Sequence, residues 1–542
     1  MGKRRHCIVI LGVLLLFLGW SVYSAEPEIT FEIKPYGEDD EYQEVYVDTP
    51  LANFVLSEQF GSLKSVFLTF APYGSNFAEL VYGAQPYPED YSRSYREGAE
   101  FPFTLMRFEA GESNPFEIDG AYTMGTPALD EHGVFHVAFT GEFAGYRVEK
   151  TYTIDPNALY TLDFEIELVP ISEEAGEVHL LFSKIIPSLV ERDPIYIFNG
   201  APSTGIYARG SYGSFGGLGQ RDGEVVNFLI PVSHAKLVPF AKQIEFVDPP
   251  GRDEEKCFGN CGRYGVLLEN ADEEDTYRFT MYSGRRRFIT LEAAGLEDLD
   301  QTGFFARLMV YVIKFLNWLY LKTGNYGWAI ILFTILMRLL LFPLMRKQYH
   351  SMARIQQIQP KLKKIQERYK DNREEMQKRT LEIYRKEKVN PMSGCFPMAI
   401  QLPIIIIIWR ALLYASELIH LSPGFLWLPD LSLHDPYFIL VILTTLIMIA
   451  QQYFMSPMTT PDAKGPQKYM GYFFPVLMAV LLWKFPAGLW LYYLLTTAAQ
   501  VGQQAFVNWE MARAGGGSVS VDDDEFDVLP PEDSSGDAAQ GG

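Results

Sequence analysis

The first 300 residues lack the short motifs by which common enzymes are recognised. They contain no glycine-rich phosphate loop, no catalytic serine motif and no cluster of residues at metal-ligand spacing. No phosphate loop occurs in the rest of the 542-residue chain either, which argues against a protein that uses ATP itself. We therefore expect no catalytic residue, no metal and no cofactor. The histidines of this region are scattered, and we expect them to be solvated or structural: His132, His136, His179 and His234.

Cysteine is rare, with four in the whole chain. Cys7 and Cys395 lie in apolar segments, where we expect them to act as small packing residues. Cys257 and Cys261 stand in a glycine-rich loop of an acidic region, and they could form a short disulfide if that region is exported. A zinc site would require two further ligands that the sequence does not place. Whether the pair is bridged or free stays open.

Positive charge is scarce overall but is concentrated in one part of the chain. The formal net charge is −21, and 48% of the residues are hydrophobic. Residues 303–510 hold 22 Lys and Arg against 11 Asp and Glu, whereas the remainder holds 24 against 56. Such asymmetry indicates parts that face different environments, so the acidic average does not exclude a basic working surface.

The chain begins with a basic flank and an apolar run, which is the pattern of an export signal. The run extends from Cys7 to about Tyr23, and the residues before Ala25 fit a cleavage site. The same run is nearly long enough to span a membrane. Residues 1–24 are therefore either a cleaved signal or an N-terminal membrane helix. Both alternatives place the following region outside the cytoplasm.

Residues 25–300 alternate between apolar and polar side chains, as half-buried strands do. The clearest example runs from Leu162 to Leu168, where apolar residues alternate with Asp163, Glu165 and Glu167. Turn residues divide the region throughout. This length and pattern predict one large antiparallel β-sandwich.

Residues 303–322 are apolar but interrupted by Arg307, Lys314 and Asn317. At 100° per residue these three fall within about 80° of one another, so they form a polar stripe on an otherwise apolar helix. This pattern favours a helix that lies in the membrane interface over one that crosses the membrane.

Five strongly apolar segments follow within residues 326–510, which predicts a five-helix membrane domain. The connection 346–388 holds 14 Lys and Arg against 6 Asp and Glu, whereas 417–435 holds neither Lys nor Arg. The positive charge places the first connection in the cytoplasm and the second outside. The segments are about Tyr326–Met345, Phe396–Ser416, Tyr437–Met455, Tyr469–Trp483 and Ala487–Val507.

The cytoplasmic connection, residues 346–390, is predicted to be a helical hairpin. Asn372 with Glu375 resembles a capping box that begins its second helix. Its first helix carries apolar residues at 3-4-3 spacing: Ile355, Ile358, Leu362 and Ile365. At the other end of the domain, residues 511–542 form a tail with eight Asp and Glu and no Lys or Arg after Arg513, which we expect to be disordered.

Arg338 is a positive charge inside the first of the five apolar segments. It lies 12 residues from the outer end of that segment, about 18 Å along a helix that rises 1.5 Å per residue. An arginine at mid-membrane costs about 2.5–3.5 kcal/mol on insertion scales, so it normally faces a bundle interior or a water-filled cavity. The alternative is a long side chain that reaches the cytoplasmic headgroups.

Polar residues at helical spacing favour the first alternative. Thr334 lies one turn before Arg338, and the last apolar segment carries a polar stripe at 4-3-4 spacing: Tyr493, Thr497, Gln500 and Gln504. Lipid would penalise such a stripe, so we expect it to line the same water-accessible space, unless it serves hydrogen bonds between helices. Arg410 lies near the outer end of its segment, where reaching the headgroups suffices. Gln401 and Pro403 are expected to loosen the inner part of that helix.

These residues also resemble a known family, the YidC membrane protein insertases. The match runs from about residue 303 to residue 513 and rests on many motifs in a fixed order. They include Tyr326-Gly-Trp-Ala, Phe342-Pro343-Leu344, Gln348-Tyr349-His-Ser-Met352, Gln359-Pro360-Lys361, Glu387-Lys-Val-Asn-Pro391, Gly394-Cys-Phe-Pro397, Gln401-Leu-Pro403, Trp427-Leu-Pro-Asp430-Leu431, Asp435-Pro436-Tyr437 and Pro486-Ala-Gly488-Leu-Trp-Leu-Tyr492-Tyr493.

The resemblance implies a multi-pass protein of the bacterial inner membrane, with a five-helix insertase core and a large periplasmic β-supersandwich. It implies that Arg338 is the arginine of a hydrophilic groove, that Thr334 and Tyr493 form groove walls, and that Leu402 and Pro403 border the substrate path. The implied partners are nascent membrane proteins, the Sec translocon, membrane lipid and the ribosome, with no nucleic acid bound directly. The acidic tail departs from the basic tails common in the family and puts a ribosome-holding role in doubt.

Two other functions are left open by the residues alone. One is a solute transporter that uses Arg338 as an anion site, although the sequence lacks the internal repeats and paired broken helices that transporters usually show. The other is a membrane-anchored periplasmic sugar-processing protein whose site lies in the β region.

Overall fold

A computed structural model describes most of the chain. The residues described are 28–37, 41–71, 78–81, 84–85, 94–95, 100–112, 114–172, 176–185, 194–198, 201–204, 215–222, 225–232, 237–243, 262–268, 275–299, 303–370, 372–386, 396–455 and 466–513. The signal or span at 1–24, all four cysteines, His234 and residues 514–542 of the tail lie outside these residues. The corresponding expectations, including a Cys257–Cys261 disulfide, stay predictions.

The chain forms two compact units. The first consists of Met1–Ala329, Ile407–His434 and Pro486–Gly488. The second consists of Ile330–Ile406, Asp435–Phe485 and Leu489–Gly542.

The N-terminal part of the first unit is built of antiparallel strands. They are β1 (Thr30–Tyr36), β2 (Tyr42–Asp48), β3 (Ala52–Ser57), β4 (Ser62–Leu68), β5 (Ala78–Glu79), β6 (Ala84–Gln85), β7 (Ser94–Tyr95), β8 (Leu105–Arg107), β9 (Glu117–Ile118), β10 (Thr123–Met124), β11 (Ala128–Leu129), β12 (Phe135–Phe143), β13 (Tyr146–Ile154), β14 (Thr161–Pro170), β15 (Val178–Ile185), β16 (Pro194–Phe198), β17 (Ala201–Thr204), β18 (Phe215–Asp222), β19 (Val225–Pro231), β20 (Leu237–Gln243), β21 (Gly262–Leu268) and β22 (Asp275–Arg285).

Three of the sheets share one apolar core. A ten-stranded sheet has the order β10-β12-β13-β14-β22-β19-β18-β16-β17, with β11 paired to β12, and two five-stranded sheets have the orders β1-β2-β3-β4-β5 and β20-β21-β15-β8-β9. The two-residue alternation places Leu162 and Phe164 in the core and leaves Asp163 exposed. The prediction of an antiparallel β region is confirmed.

A charged pair lies inside this apolar core. The Lys150 ammonium is fully buried and donates to an Asp119 carboxylate oxygen at 2.7 Å and to the carbonyls of Phe60 and Phe103 at 2.6 and 2.8 Å. All three ammonium donors are therefore satisfied, as a buried charge requires. Burial raises the pKa of Asp119 to about 6, against the opposing effect of Lys150.

The C-terminal part of the chain is helical, as predicted. The helices are α1 (Phe288–Ala293), α2 (Phe304–Thr323), α3 (Tyr326–Arg368), α4 (Arg373–Lys386), α5 (Phe396–Tyr414), α6 (Ser416–His420), α7 (Ile439–Met455), α8 (Pro466–Leu482) and α9 (Ala487–Arg513), with a short 3-10 helix at Glu297–Leu299. The first apolar segment and the first hairpin helix are one 43-residue helix, α3. Asn372 accepts a hydrogen bond from the amide of Glu375 at 3.1 Å, as the first half of a capping box does.

Among the described residues, one helical stretch is long and apolar enough by itself to cross a membrane, Tyr326–His350. Shorter apolar stretches occupy Gln401–Tyr414, Ile439–Gln452 and Tyr472–Leu482. Helix α5 contains Pro403 in its interior. Pro403 has no amide hydrogen, so one backbone bond of this helix cannot form.

Helix α2 has two apolar faces. One is buried within the first unit and includes Met309, Ile313 and Leu316. The other is exposed and carries large side chains: Phe304, Leu308, Tyr311, Phe315 and Trp318. Gly324 ends the helix with φ +66°, a left-handed conformation that glycine adopts without a steric penalty.

Candidate functional site: a buried arginine between parallel helices

Helices α3 and α9 run parallel in the second unit, and a nearly constant offset relates their contacts. Arg338 and Gln503 are 165 positions apart, and Arg346 and Glu510 are 164 positions apart. Phe342 packs against Phe506 at 6.3 Å between ring centroids. Buried side chains complete the interface: Met345, Tyr349 and Val507. The pairing brings the first and last apolar segments of the sequence side by side.

Arg338 is buried in this second unit, with 7% of its surface exposed. Its Nη2 donates to Oε1 of Gln401 on α5 at 3.2 Å. Gln500 of α9 donates to the same oxygen at 3.5 Å, and the Gln503 side chain reaches the Arg338 carbonyl at 3.5 Å. Two helices, α5 and α9, therefore place amide side chains beside Arg338 of α3.

The Arg338 guanidinium has no carboxylate partner among the residues that the structure describes. A neutral amide oxygen offsets part of the cost of burying a cation, but it leaves the charge uncompensated. Arginine stays charged under all physiological conditions, so the cost of burying the Arg338 charge cannot be removed by loss of a proton. The arrangement leaves Arg338 able to bind an anionic group brought by another molecule.

The other residues predicted for the site fall into two groups. Thr334 and Thr497 are buried, and each hydroxyl donates to a carbonyl of its own helix, Ile330 at 2.7 Å and Tyr493 at 2.8 Å. The Tyr493 ring packs against Trp490 at 6.4 Å. Leu402 is 57% exposed, Pro403 is exposed, and Gln504 is half-buried. The structure therefore joins Arg338 and Gln500 through the Gln401 oxygen, and no hydrogen bond links Leu402, Pro403 or Gln504 to Arg338 among the described residues.

Three residues of this arrangement are absent from the sequence-based set of site residues. Gln401 accepts the hydrogen bond of Arg338, whereas the sequence suggested only that it loosens α5. Gln503 lies one position before the predicted stripe residue Gln504, and the contact of Gln503 with Arg338 depends on the packing of α9 against α3. Gln348 is buried on α3, and neither of its amide atoms has a hydrogen-bond partner in the described part of the chain. A search for every amide side chain within the apolar segments would have found Gln401 and Gln503, whereas Gln348 lies three residues beyond the first segment.

Arg410, the second charged residue of the apolar segments, is exposed on α5 in the first unit. The first unit also holds a second buried ion pair close by. Arg287 Nε lies 3.3 Å from an oxygen of Glu417, whose side chain is 1% exposed. The Tyr160 hydroxyl and the Ser416 hydroxyl also donate to this carboxylate, at 3.3 and 3.1 Å. Arg287 further donates to the Leu413 carbonyl and so fixes the last turn of α5.

Comparison with known proteins shows what the segment around these residues is similar to. The model of the 60Kd inner membrane protein family matches residues 318–514, the segment that holds Arg338, Gln401 and Gln500. A membrane protein insertase YidC of Syntrophus aciditrophicus is 29% identical over 508 residues, which cover 90% of this chain and 88% of that protein. The YidC of Pseudoalteromonas atlantica is 40% identical over 238 residues, and that of Wolinella succinogenes is 38% identical over 253.

The two last alignments cover 43% and 46% of those relatives, so they span less than half of each protein. Among solved structures, an active YidC insertase crystal structure with the first transmembrane domain resolved has a TM-score of 0.49 and 21% sequence identity, and covers 93% of this chain and 99% of that one. The family match and the curated relatives coincide with the segment in which the ordered motifs were found. Residues 318–514 therefore match the 60Kd inner membrane protein family, and the chain is similar over most of its length to a YidC membrane protein insertase.

Proposed function

We propose that this protein inserts hydrophobic protein segments into the bacterial inner membrane through a polar groove centred on Arg338. The observation that carries the proposal is a buried guanidinium whose hydrogen-bond partner is a neutral amide, Gln401 Oε1. A cation that serves stability alone is normally paired with a carboxylate when it is buried. Arg338 is instead available to the acidic and polar groups of a passing polypeptide.

The groove lowers the cost of moving polar groups through a membrane. A polar group without a hydrogen-bond partner costs several kcal/mol in hydrocarbon. The amide side chains around Arg338 can donate to and accept from the main chain of an entering segment: Gln401, Gln500 and Gln503. Apolar side chains of the segment then leave sideways into lipid, and no covalent step is involved.

The surroundings of the groove are proposed to follow the family. Helices α3, α5, α7, α8 and α9 form the five-helix core, with the α3–α4 hairpin in the cytoplasm and the β region as a periplasmic supersandwich. Nascent membrane proteins are the substrates, alone or with the Sec translocon, and the basic hairpin receives them, with the ribosome as a further partner. Thr334, Tyr493, Leu402 and Pro403 line the path of the substrate.

Helix α2 is proposed to lie in the periplasmic interface of the inner membrane. Its exposed face carries five large apolar side chains, including Trp318 and Tyr311, which favour the boundary between hydrocarbon and headgroups. Arg307 and Lys314 flank this face, where they can reach lipid phosphates. Lys314 also pairs with Glu292 at 2.6 Å.

Site-specific photo-crosslinking tests the groove. A photoreactive residue at positions 334, 402 and 493 of the full chain should form adducts with a stalled small membrane protein. The same residue at Leu446, an exposed apolar position of α7, is the matched control and should give lipid adducts. Absence of a protein adduct from all three groove positions would overturn the proposal.

A small-anion transporter is the rival that the same buried cation supports. A transporter would bind a solute anion at Arg338. It would give no crosslink to the stalled membrane protein from position 402 or position 493. Uptake of a labelled anion into proteoliposomes, with no insertion of the stalled substrate, would favour the rival.

Removal of the β region distinguishes an insertase function from a sugar-processing function. Deletion of residues 45–290 should leave growth largely intact under the proposed function. That deletion also removes Arg287, so it should be combined with Glu417→Gln to avoid leaving the Glu417 carboxylate without its cation. Loss of growth in the combined variant would favour a function located in the β region.

A further inference from the structure

A row of cations runs along the cytoplasmic part of α3. Lys347, Arg354, Lys361 and Arg368, here called the basic stripe, recur every seven residues. Residues seven apart on a straight helix are displaced by about 20°, so the four lie within about 60° of one another. The stripe is about 30 Å long at 1.5 Å per residue. Lys347, Arg354 and Arg368 are exposed, and Lys361 is half-buried.

The apolar side of the hairpin is already covered. Ile358 and Leu362 of α3 are buried and pack against Ile383 and Tyr384 of α4. Residues 346–388 carry 14 Lys and Arg against 6 Asp and Glu, so the surface left outside this apolar contact is strongly positive. Such a surface attracts an acidic partner, and it does so most strongly at low ionic strength.

The acidic tail leaves the described structure beside the start of this stripe. Glu510 bonds to Arg346 through Nε at 3.2 Å and lies 3.6 Å from His350, so the last turn of α9 is held against α3 next to Lys347. Helix α9 ends at Arg513. The tail then carries eight Asp and Glu and no Lys or Arg, beginning at Asp522.

The tail is long enough to reach the whole stripe. Nine residues separate Arg513 from Asp522, and a chain of that length spans up to about 30 Å. Three consecutive glycines at 515–517 place few steric limits on the direction of the chain. A short tether holds its segment at millimolar effective concentration, so even a weak charge contact is populated.

We propose that residues 519–533 of the tail dock in cis on the basic stripe of α3. This segment contains five acidic residues between Asp522 and Asp527, with Phe526 as the single apolar residue among them. Occupation of the stripe by the tail would make an acidic polypeptide arriving in the cytoplasm compete for the hairpin. This consequence rests on the proposed insertase function, whereas the docking itself does not.

Crosslinking within the full chain tests the docking. A photoreactive residue replaces Arg354 in protein reconstituted in phosphatidylcholine vesicles without substrate, and the adducts are identified by peptide mass spectrometry. We expect adducts with residues 519–533. Their yield should fall at least about fivefold between 50 and 500 mM salt, because screening shortens the range of charge interactions. The same fall should follow neutralisation of the tail by Asp522→Asn, Asp523→Asn, Asp524→Asn, Glu525→Gln and Asp527→Asn.

A matched pair of triple variants locates the docking site. Lys347→Gln, Lys361→Gln and Arg368→Gln neutralise the rest of the stripe and should lower the yield at least about fivefold. Arg373→Gln, Lys378→Gln and Arg385→Gln remove the same charge from α4 and should change it less than about twofold. An equal loss in both variants would overturn the assignment to the stripe.

Three further outcomes would overturn the proposal. They are adducts that join two copies in a mixture of isotope-labelled and unlabelled protein, adducts with lipid alone, and loss of the tail adduct when phosphatidylglycerol is added to the vesicles. Because no substrate is present, tail adducts would still form if the insertase function were wrong. Failure of insertion and failure of docking are thus separate results.

Discussion

The two units of the molecule bury cations in different ways. In the first unit, Lys150 is bonded to Asp119 and Arg287 to Glu417, and both carboxylates are almost fully buried. In the second unit, Arg338 is buried with a neutral partner, Gln401. The difference indicates that the charges of the first unit were neutralised by folding, whereas that of the second is left for another molecule to neutralise.

Burying a cation without a carboxylate partner is costly. Removing one partner of a buried ion pair typically costs about 3–5 kcal/mol, because the other charge is left uncompensated. Arg338 already exists in a related state, without a carboxylate among the described residues. We infer that stability gained elsewhere in the chain tolerates this cost because the charge serves function, as is common for residues at functional sites.

The largest effect on stability is expected when a buried ion pair of the first unit loses one partner, so that a buried charge is left unpaired, as in the described part of the second unit. Lys150→Met leaves the Asp119 carboxylate buried without its cation and should lower the free energy of unfolding by about 3–5 kcal/mol. Hydrogen exchange of peptides from β13 in the full chain, measured in micelles across a denaturant series, would report the loss. Lys150→Met with Asp119→Leu should recover most of it, and a double variant as unstable as the single one would contradict a role for charge.

The pH dependence of the same pair is the next largest effect. Burial raises the pKa of Asp119 to about 6 in the folded state, above its unfolded value of 3.8. The folded state therefore binds the proton more tightly, so the contribution of Asp119 to stability falls as pH rises from about 4 to 6. A shift of about two units corresponds to roughly 3 kcal/mol.

Comparison with Asp119→Asn isolates this contribution, because other carboxylates titrate equally in both proteins. The difference in unfolding free energy between the original protein and Asp119→Asn should decrease between pH 4 and pH 6. A difference independent of pH would show that Asp119 is ionised throughout this range.

In the second unit the expected effect is on insertion. Arg338→Ala should leave the helices as stable or more stable, because a buried cation without a carboxylate is removed. Insertion of substrates with acidic exported tails should fall about tenfold or more, the equivalent of one charge-assisted hydrogen bond of about 1.5–3 kcal/mol. Substrates with neutral tails should lose less. Arg410→Ala, at an exposed arginine of α5, is the control; equal losses for both substrate classes would show that Arg338 does not act by attraction.

Local sequence patterns predict the helices and strands of this fold, but they do not predict contacts between residues that are distant in the sequence. Alternation placed Leu162 and Phe164 in the core, and the cost of a charge in hydrocarbon singled out Arg338. The pairing of Lys150 with Asp119 spans 31 positions and depends on how the sheets pack, which no local pattern encodes. The pairing of Arg287 with Glu417 spans 130 positions and is equally invisible to local patterns.

At the candidate site, too, the contacts of polar residues depend on how the helices pack. The spacing predicts that Thr334 shares a face with Arg338, and the Thr334 hydroxyl donates to the Ile330 carbonyl of its own helix. The sequence predicts only that Gln401 loosens α5, because the contact of Gln401 with Arg338 requires α5 to lie against α3. Polar residues in apolar segments are thus found by sequence, but their partners are not.

The smallest effect is expected from a substitution that tests the comparison most directly. This substitution gives Arg338 a carboxylate partner like those of the cations in the first unit. Gln401→Glu places that group where Gln401 Oε1 now lies, 3.2 Å from Nη2. The net change in stability should be small, since the gain from the ion pair is offset by desolvation of the new charge. The preference for acidic over neutral exported tails should fall about fivefold, equivalent to about 1 kcal/mol, because Arg338 is then neutralised from within. Gln401→Leu removes the hydrogen bond but adds no charge, so it should retain the preference. If Gln401→Glu retained the preference as well, the neutral partner of Arg338 would be incidental to insertion.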